Sequence, residues 1–375
     1  MSIIDHIFLF SILFMSFYLV TRIPQNNINR DFWKLTSFLI ILYSVILGCR
    51  YGWGNDYLWY KSRFENPYAY SQESTGFRVL NVCLDQLGLN YIGAYMVYSL
   101  LYIVTAFSLL KNYETNKYMI ALFLPATLLQ STFTIRQSVA HSFVFLSILC
   151  LNGKQWIKIG LYLILSYLIH PAGLLLFIPV FFFSLFYNKI FSIRLSIPVY
   201  IFASVATNII NAQIVSLFSQ YLPLLSLGNK FDSYLQDEMW FGEEAIQYEY
   251  LQGTITLILS MLFHISIIYI GFVALKYKPC RNIISIYNTV VVGLILTRVF
   301  FVFEIFRRMT EPLMMMYFIP LGYSLFFLSK NIYKIKKMEG RLSIISIVII
   351  SIYLILYFGR FILQSPDYKF FWNIN

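Results

Sequence analysis

"LTSFLIILYSVILGCRYGWGNDYLWYKSRF", residues 35–64, changes character at one point. Its first part carries no charge, and from Cys49 onward Arg50, Asp56, Lys61 and Arg63 stand among Tyr51, Trp53, Tyr57, Trp59 and Tyr60. With Phe32 and Trp33 ahead of it, the uncharged run is long enough to cross most of ~30 Å of hydrocarbon as a helix. The segment after it then lies at the mouth of a span. Gly52 and Gly54 let the chain leave helical geometry there. Its rings suit either an interfacial aromatic belt or a platform for stacking sugars. Arg50 and Asp56 are readable as a surface ion pair or as parts of a site.

The same alternation of apolar run and short polar connection covers the rest of the chain. Of 375 residues, 59% are hydrophobic and 12% charged, and the mean hydropathy is +0.69. These values exclude a water-soluble domain of this length. The sequence predicts an all-α polytopic integral membrane protein, one domain over residues 1–375. About twelve transmembrane helices are expected, near 3–20, 32–49, 92–110, 118–134, 137–151, 159–169, 172–187, 195–215, 254–275, 283–303, 310–329 and 342–362. The first follows an acidic leader with no small-residue cleavage pattern and is expected to be a retained span.

Basic loops stay on the cytoplasmic side during insertion. With the N-terminus and the C-terminus on the periplasmic or outer side, 17 of the 28 basic residues fall in cytoplasmic connections, against 3 of the 17 acidic ones. The net charge of +11 then records membrane topology, and no nucleic-acid partner is needed to explain it. The outer side receives residues 50–91, the turn at Arg136, the break at His170, residues 216–253 and the turn from Glu304 to Glu311.

Four outer features carry candidate chemistry. Within 50–91, an amphipathic helix is expected over 75–88, capped by Ser74 or Thr75 and stopped by Gly88. It would lie in the interface on Phe77, Leu80, Leu84 and Leu87, with Arg78, Asn81 and Asp85 turned to water or to a site. In "FTIRQSVAH", residues 133–141, Arg136 and Gln137 interrupt an apolar stretch too long for one helix. An arginine there either snorkels to headgroups or faces an aqueous cavity or a fixed anion, where its planar fork grips phosphate oxygens. In "YLIHPAG", residues 167–173, Pro171 disfavours helix at His170 and places the imidazole at the mouth, as a helix cap or as a general base. Arg298, Glu304, Arg307, Arg308 and Glu311 cluster at one helix end, partly explained by i,i+4 ion pairs from Glu304 to Arg308 and from Arg307 to Glu311.

The long outer loop 216–253 is acidic, with Asp232, Asp237, Glu238, Glu243, Glu244 and Glu249. It shows no nameable ligand spacing, so no metal is expected, and it reads as a lid, an acceptor-binding segment or a solvated loop. Cys49 and Cys83 both fall outside, with no spacing that demands a bridge. His264, in mid-span, has a weaker claim than His170.

Taken in order, these landmarks resemble the EpsG-like bacterial polysaccharide polymerases, relatives in function of the Wzy O-antigen polymerases. "CRYGWGNDYLWYKSRF" is similar to that family's R-x-G-x-D-x-x-x-Y-x-x-x-F segment, "IRQSVA" to its I-R-Q-x-x-A, and "LIHPAG" to its histidine motif. "FRRM" and "SPDYKFFW" follow in the expected places. Phe133 stands where many relatives have Asn. The resemblance implies a glycosyltransferase that moves a growing glycan from undecaprenyl pyrophosphate onto the next lipid-linked repeat unit, building an O-antigen, capsule or exopolysaccharide. It implies no cofactor. Its partners would be the undecaprenyl-pyrophosphate-linked donor and acceptor and membrane lipid, with a chain-length regulator protein and a flippase alongside. On that reading His170 and Asp56 are the candidate base and orienting group, and Arg136, Arg50, Arg307 and Arg308 neutralise the pyrophosphate. Trp53, Tyr57, Tyr60 and Gln137 bind glycan. A lipid-linked oligosaccharide flippase or transporter, or another polyprenyl-linked transferase such as an O-antigen ligase, shares the outer cavity and stays open.

Overall fold

The computed structural model describes residues 2–52, 56–68, 74–207, 254–301, 304–363 and 369–370. Apart from one two-residue ladder, regular structure among them is helical. The first part of the chain forms α1 (Ser2–Leu19), α2 (Gln25–Arg30), α3 (Phe32–Gly48), α4 (Tyr57–Glu65) and α5 (Thr75–Gln86). Long helices follow: α6 (Tyr91–Lys111), α7 (Asn116–Phe133), α8 (Ile135–Asn152), α9 (Trp156–Ile169), α10 (Leu174–Leu185) and α11 (Ile193–Val205). Beyond residue 253 come α12 (Thr254–Tyr277), α13 (Arg281–Val299), α14 (Glu304–Met315), α15 (Phe318–Asn331) and α16 (Lys337–Leu363).

Among the described residues, five stretches are long and apolar enough to cross a membrane: Tyr91–Lys111, Ile255–Tyr277, Arg281–Val299, Phe306–Lys334 and Lys337–Gly359. Shorter apolar helices accompany them. Of the expected span 195–215, α11 covers the part to Val205, and residues 208–215 lie outside the described residues. Another expected span differs. The helix anticipated over 310–329 starts at Glu304 and is interrupted between Met315 and Phe318, so α14 and α15 are separate pieces. The acidic segment 216–253 lies outside the described residues.

Polar contacts sort the loops into two ends of the bundle. At one end, Lys117 Nζ donates to the carbonyls of Thr21 and Ile23, and Lys276 Nζ lies 2.7 Å from Glu339 Oε1. Arg281 there donates to the carbonyl of Ser184, and Asn288 to that of Lys189. This end gathers the basic connections. At the other end β1 (Arg50–Tyr51) pairs antiparallel with β2 (Lys369–Phe370), Arg50 opposite Phe370. The last described residues therefore close on the first long loop.

Two short helices shape that second end. α3 stops at Gly48, and Gly52 turns the chain out of β1 with φ +72°, a value that L side chains rarely adopt. α4 then lies on a cluster of buried rings, Tyr57, Tyr60, Phe77, Tyr95 and Tyr98 among them. α5 is amphipathic, as its spacing predicts, and Gly88 (φ +78°) ends it. Two details depart from expectation. Asn81 faces inward, buried, and accepts a hydrogen bond from the Tyr98 hydroxyl, whereas Leu87 is exposed. Ser74 makes no cap within its own helix and donates across to the carbonyl of Ile169 at 2.6 Å. Pro171 explains that contact: it ends α9, the N–H of Gly173 goes to His170, and the Ile169 carbonyl is left for Ser74.

α13 and α14 pack through Gly293. A Cβ there would lie 2.5 Å from the backbone nitrogen of Met314 and 2.6 Å from Leu313 Cβ, and backbone cannot swing aside. Gly293→Val is expected to destabilise the protein by about 1–3 kcal/mol. Gly160→Ala, on a helix face where a Cβ meets nothing within 4 Å, is expected to cost nothing. Thermal unfolding of the purified protein in one detergent compares the two.

Candidate active site

Three elements converge where the charged landmarks meet. α4 and its N-cap residue Asp56 bring Asp56, Trp59 and Tyr60; the first turn of α8 brings Arg136 and Gln137; α14 brings Arg307 and Arg308. α8 begins afresh at Ile135, so its first N–H groups lack partners inside the helix. The N–H of Arg136 finds the hydroxyl oxygen of Tyr60. Burial pushes the Tyr60 phenol up to about 12, outweighing the lowering by Arg136. Tyr60 is therefore a neutral hydroxyl that leaves the charge of Arg136 intact.

Gln137 is buried and donates from Nε2 to the carbonyl of Arg308 at 3.0 Å, tying α8 to α14. Arg308 Nη1 in turn lies 3.8 Å from Asp56 Oδ2, tying α14 to α4. Arg307 Nε lies 3.3 Å from Glu311 Oε1, the expected i,i+4 pair. The side chain of Glu304 lies outside the described residues. Arg136 has no carboxylate partner among the described residues, and its guanidinium carbon sits 5.8 Å from the centre of the Trp59 ring. Among the described residues, three half-buried guanidiniums thus stand with two carboxylates.

Asp56, Arg136, Gln137, Arg307 and Arg308 are brought together as the sequence suggested. Three other expectations need correction. Arg50 does not join the cluster and does not pair with Asp56. It is 1% exposed, lies over the Tyr95 ring at 5.7 Å, and lines a cavity of about 10 Å³ with Ser99, Tyr102 and Ser138. Tyr57 is no sugar platform: its buried hydroxyl donates to the Arg50 carbonyl at 2.8 Å, and its ring packs 4.9 Å from that of Tyr95. Tyr60 is likewise committed to packing, with its ring 5.8 Å from Phe77. Trp53 lies outside the described residues.

His170 closes α9 in extended backbone, φ −157° and ψ 111°, ahead of Pro171. The turn it begins rests on α8, where a Cβ on Gly173 would meet Ala140 at 2.9 Å. This sets His170 beside His141, close enough for the two imidazoles to interact electrostatically. Arg298 departs from the expected cluster as well. It is buried, donating to the Tyr200 hydroxyl at 3.1 Å and to Ser260, and Tyr200 shares a hydrogen bond of 2.7 Å with His264. His264 is accounted for by that network. All four cysteines are free, with Cys49 buried and Cys83 exposed. Among the described residues no group of three His, Cys, Asp or Glu is placed to hold a metal ion.

The residue that sequence reasoning undervalued is Trp59. It is the large exposed ring of the cluster, 38% accessible, with Arg63 stacked 3.5 Å from its centre. The signal was available as Trp-x-x-x-Arg on one helix face.

A break in the membrane bundle that collects arginines, an aspartate and an exposed indole matches the ordered motifs of one family, whose model covers residues 33–373 of this chain. The chain belongs to the EpsG family. It is accordingly a membrane protein of polysaccharide biosynthesis, from a family associated with glycosyltransferase-like polymerase activity. No curated protein and no solved structure matches it.

The geometry separates interior from mouth in energetic terms. Tyr57→Phe leaves the buried Arg50 carbonyl without its donor and is expected to cost about 1–3 kcal/mol. Asp56→Asn breaks only a half-exposed pair and is expected to stay within ~1 kcal/mol of wild type. Thermal unfolding checks both.

Proposed function

We propose that this EpsG-family chain polymerises undecaprenyl-pyrophosphate-linked repeat units into a surface polysaccharide. About twelve helices span the cytoplasmic membrane, with both termini and the Arg136 cluster outside and the basic connections inside. The reading is supported by the excess of guanidinium over carboxylate, among the described residues, around Arg136, Arg307 and Arg308. A diphosphate leaving group supplies the missing negative charge.

The chemistry follows from that charge. An acceptor hydroxyl oxygen bonds to the anomeric carbon of the donor as the anomeric carbon–oxygen bond to pyrophosphate breaks. The electron pair leaves on the pyrophosphate, where Arg136 and Arg308 stabilise the charge that develops as the bond breaks. The hydroxyl proton passes to a base. Asp56 is the base that shares the cluster: its carboxylate is 39% exposed and lies 3.8 Å from Arg308, and it is assigned to the acceptor side of the anomeric carbon. His170, on the turn against α8, flanks the site and is assigned to orienting the acceptor. Attack from the face opposite the pyrophosphate inverts the anomeric centre.

Deleting the gene is expected to abolish long surface glycan while single-repeat material is still transferred, and Arg136→Ala should not restore chain length. Loss of even single repeats on deletion would point to a ligase or flippase. In proteoliposomes, Asp56→Asn is expected to lower kcat by about 100-fold or more, and His170→Gln by less. The reverse order would move the base to His170.

A further inference from the structure

Two adjacent residues of α4 hold Arg136 at both ends. Tyr60 takes its backbone N–H, and the indole of Trp59 lies 5.8 Å from its guanidinium carbon. The indole is itself fixed, with Tyr60 edge-on at 4.9 Å and 84° and with Arg63, one turn along α4, stacked 3.5 Å from its centre. The other two arginines at the mouth are held by carboxylates, Arg308 by Asp56 and Arg307 by Glu311.

The difference has a chemical consequence. A carboxylate that orients a guanidinium also neutralises it, and an incoming phosphate must compete with it. An aromatic face attracts the cation through its quadrupole, restricts its motion, and leaves its full charge and its N–H fork for a ligand. Among the described residues, Arg136 is therefore oriented by an aromatic ring and by no carboxylate. Arg63 on the same ring adds a second positive charge behind it, which suits a ligand carrying more than one negative charge.

The geometry points to Trp59 as the positioning residue for Arg136, making the mouth a receptor for the diphosphate of a polyprenyl-linked donor in preference to a monophosphate. This rests on the reading of Arg136 as the pyrophosphate ligand. Trp59 acts on donor binding through its ring face and takes no part in bond making. Its 38% exposure lets it be changed without opening the core.

The test uses the full-length protein in proteoliposomes, with kcat, KM for a pyrophosphate-linked donor, and the inhibition constants of inorganic pyrophosphate and inorganic phosphate. Wild type is expected to bind pyrophosphate more tightly than phosphate. Trp59→Leu should raise the pyrophosphate inhibition constant by about tenfold, lower kcat/KM for the donor by at least as much, and narrow the preference over phosphate. Trp59→Phe, which keeps a ring face, should recover most of the loss. Trp59→Glu, which would hold Arg136 as an ion pair, should bind pyrophosphate worst of all although its melting temperature is retained. Unchanged pyrophosphate inhibition in Trp59→Leu overturns the inference, as does tighter binding in Trp59→Glu or a wild type that prefers phosphate. Direct calorimetry with inorganic pyrophosphate needs no turnover, so a protein that binds it through Trp59 but makes no polymer would sink the polymerase reading and leave the receptor standing.

Discussion

A guanidinium is expensive in hydrocarbon, and a backbone N–H or C=O without a partner is expensive too. Together these costs confine charge to the places where helices start and stop. In this protein the site is made of such places: the end of α3 before Arg50, the restart of α8 before Arg136, the Pro171 stop after His170, and the entry to α14 before Arg307 and Arg308. Each break frees backbone groups that side chains from other breaks then satisfy. Tyr57 takes up the Arg50 carbonyl, Ser74 that of Ile169, and Gln137 that of Arg308, which Pro312, having no N–H, leaves open within α14. The interruptions thereby hold one another in register.

The result is a polar layer in two depths. At the surface, half-buried Arg136 lies by Trp59, and the pairs Arg308–Asp56 and Arg307–Glu311 stand on the neighbouring elements. Beneath them, Arg50 is enclosed by tyrosines and serines next to the first turn of α8.

Much of this was legible in the residue order. Apolar run lengths located the helices, and an uncompensated Arg136 inside an apolar stretch marked the site, since few other features make arginine tolerable there. What could not be read was direction. Arg50 and Asp56 lie six positions apart in one loop and looked like partners, but β1 turns the first inward and α4 presents the second to α14. Tyr57 and Trp59 differ by two positions, which on a helix places them on different faces; composition alone made them equivalent. Arg298 was grouped with Arg307 by proximity along the chain, whereas the C-terminal end of α13 turns it into its own network with Tyr200 and Ser260. Periodicity tells which residues share a face, and only packing tells which way that face looks.

The small ladder between Arg50–Tyr51 and Lys369–Phe370 has an implication for biosynthesis. The first strand precedes α4–α16 and the second follows them, so the loop bearing Arg50 acquires its ladder partner only after those helices have been made. Until then a nascent molecule already threaded into the bilayer has its arginines but lacks the backbone clasp that fixes the loop's edge. Closure of that edge thus comes later than insertion of the helices around it.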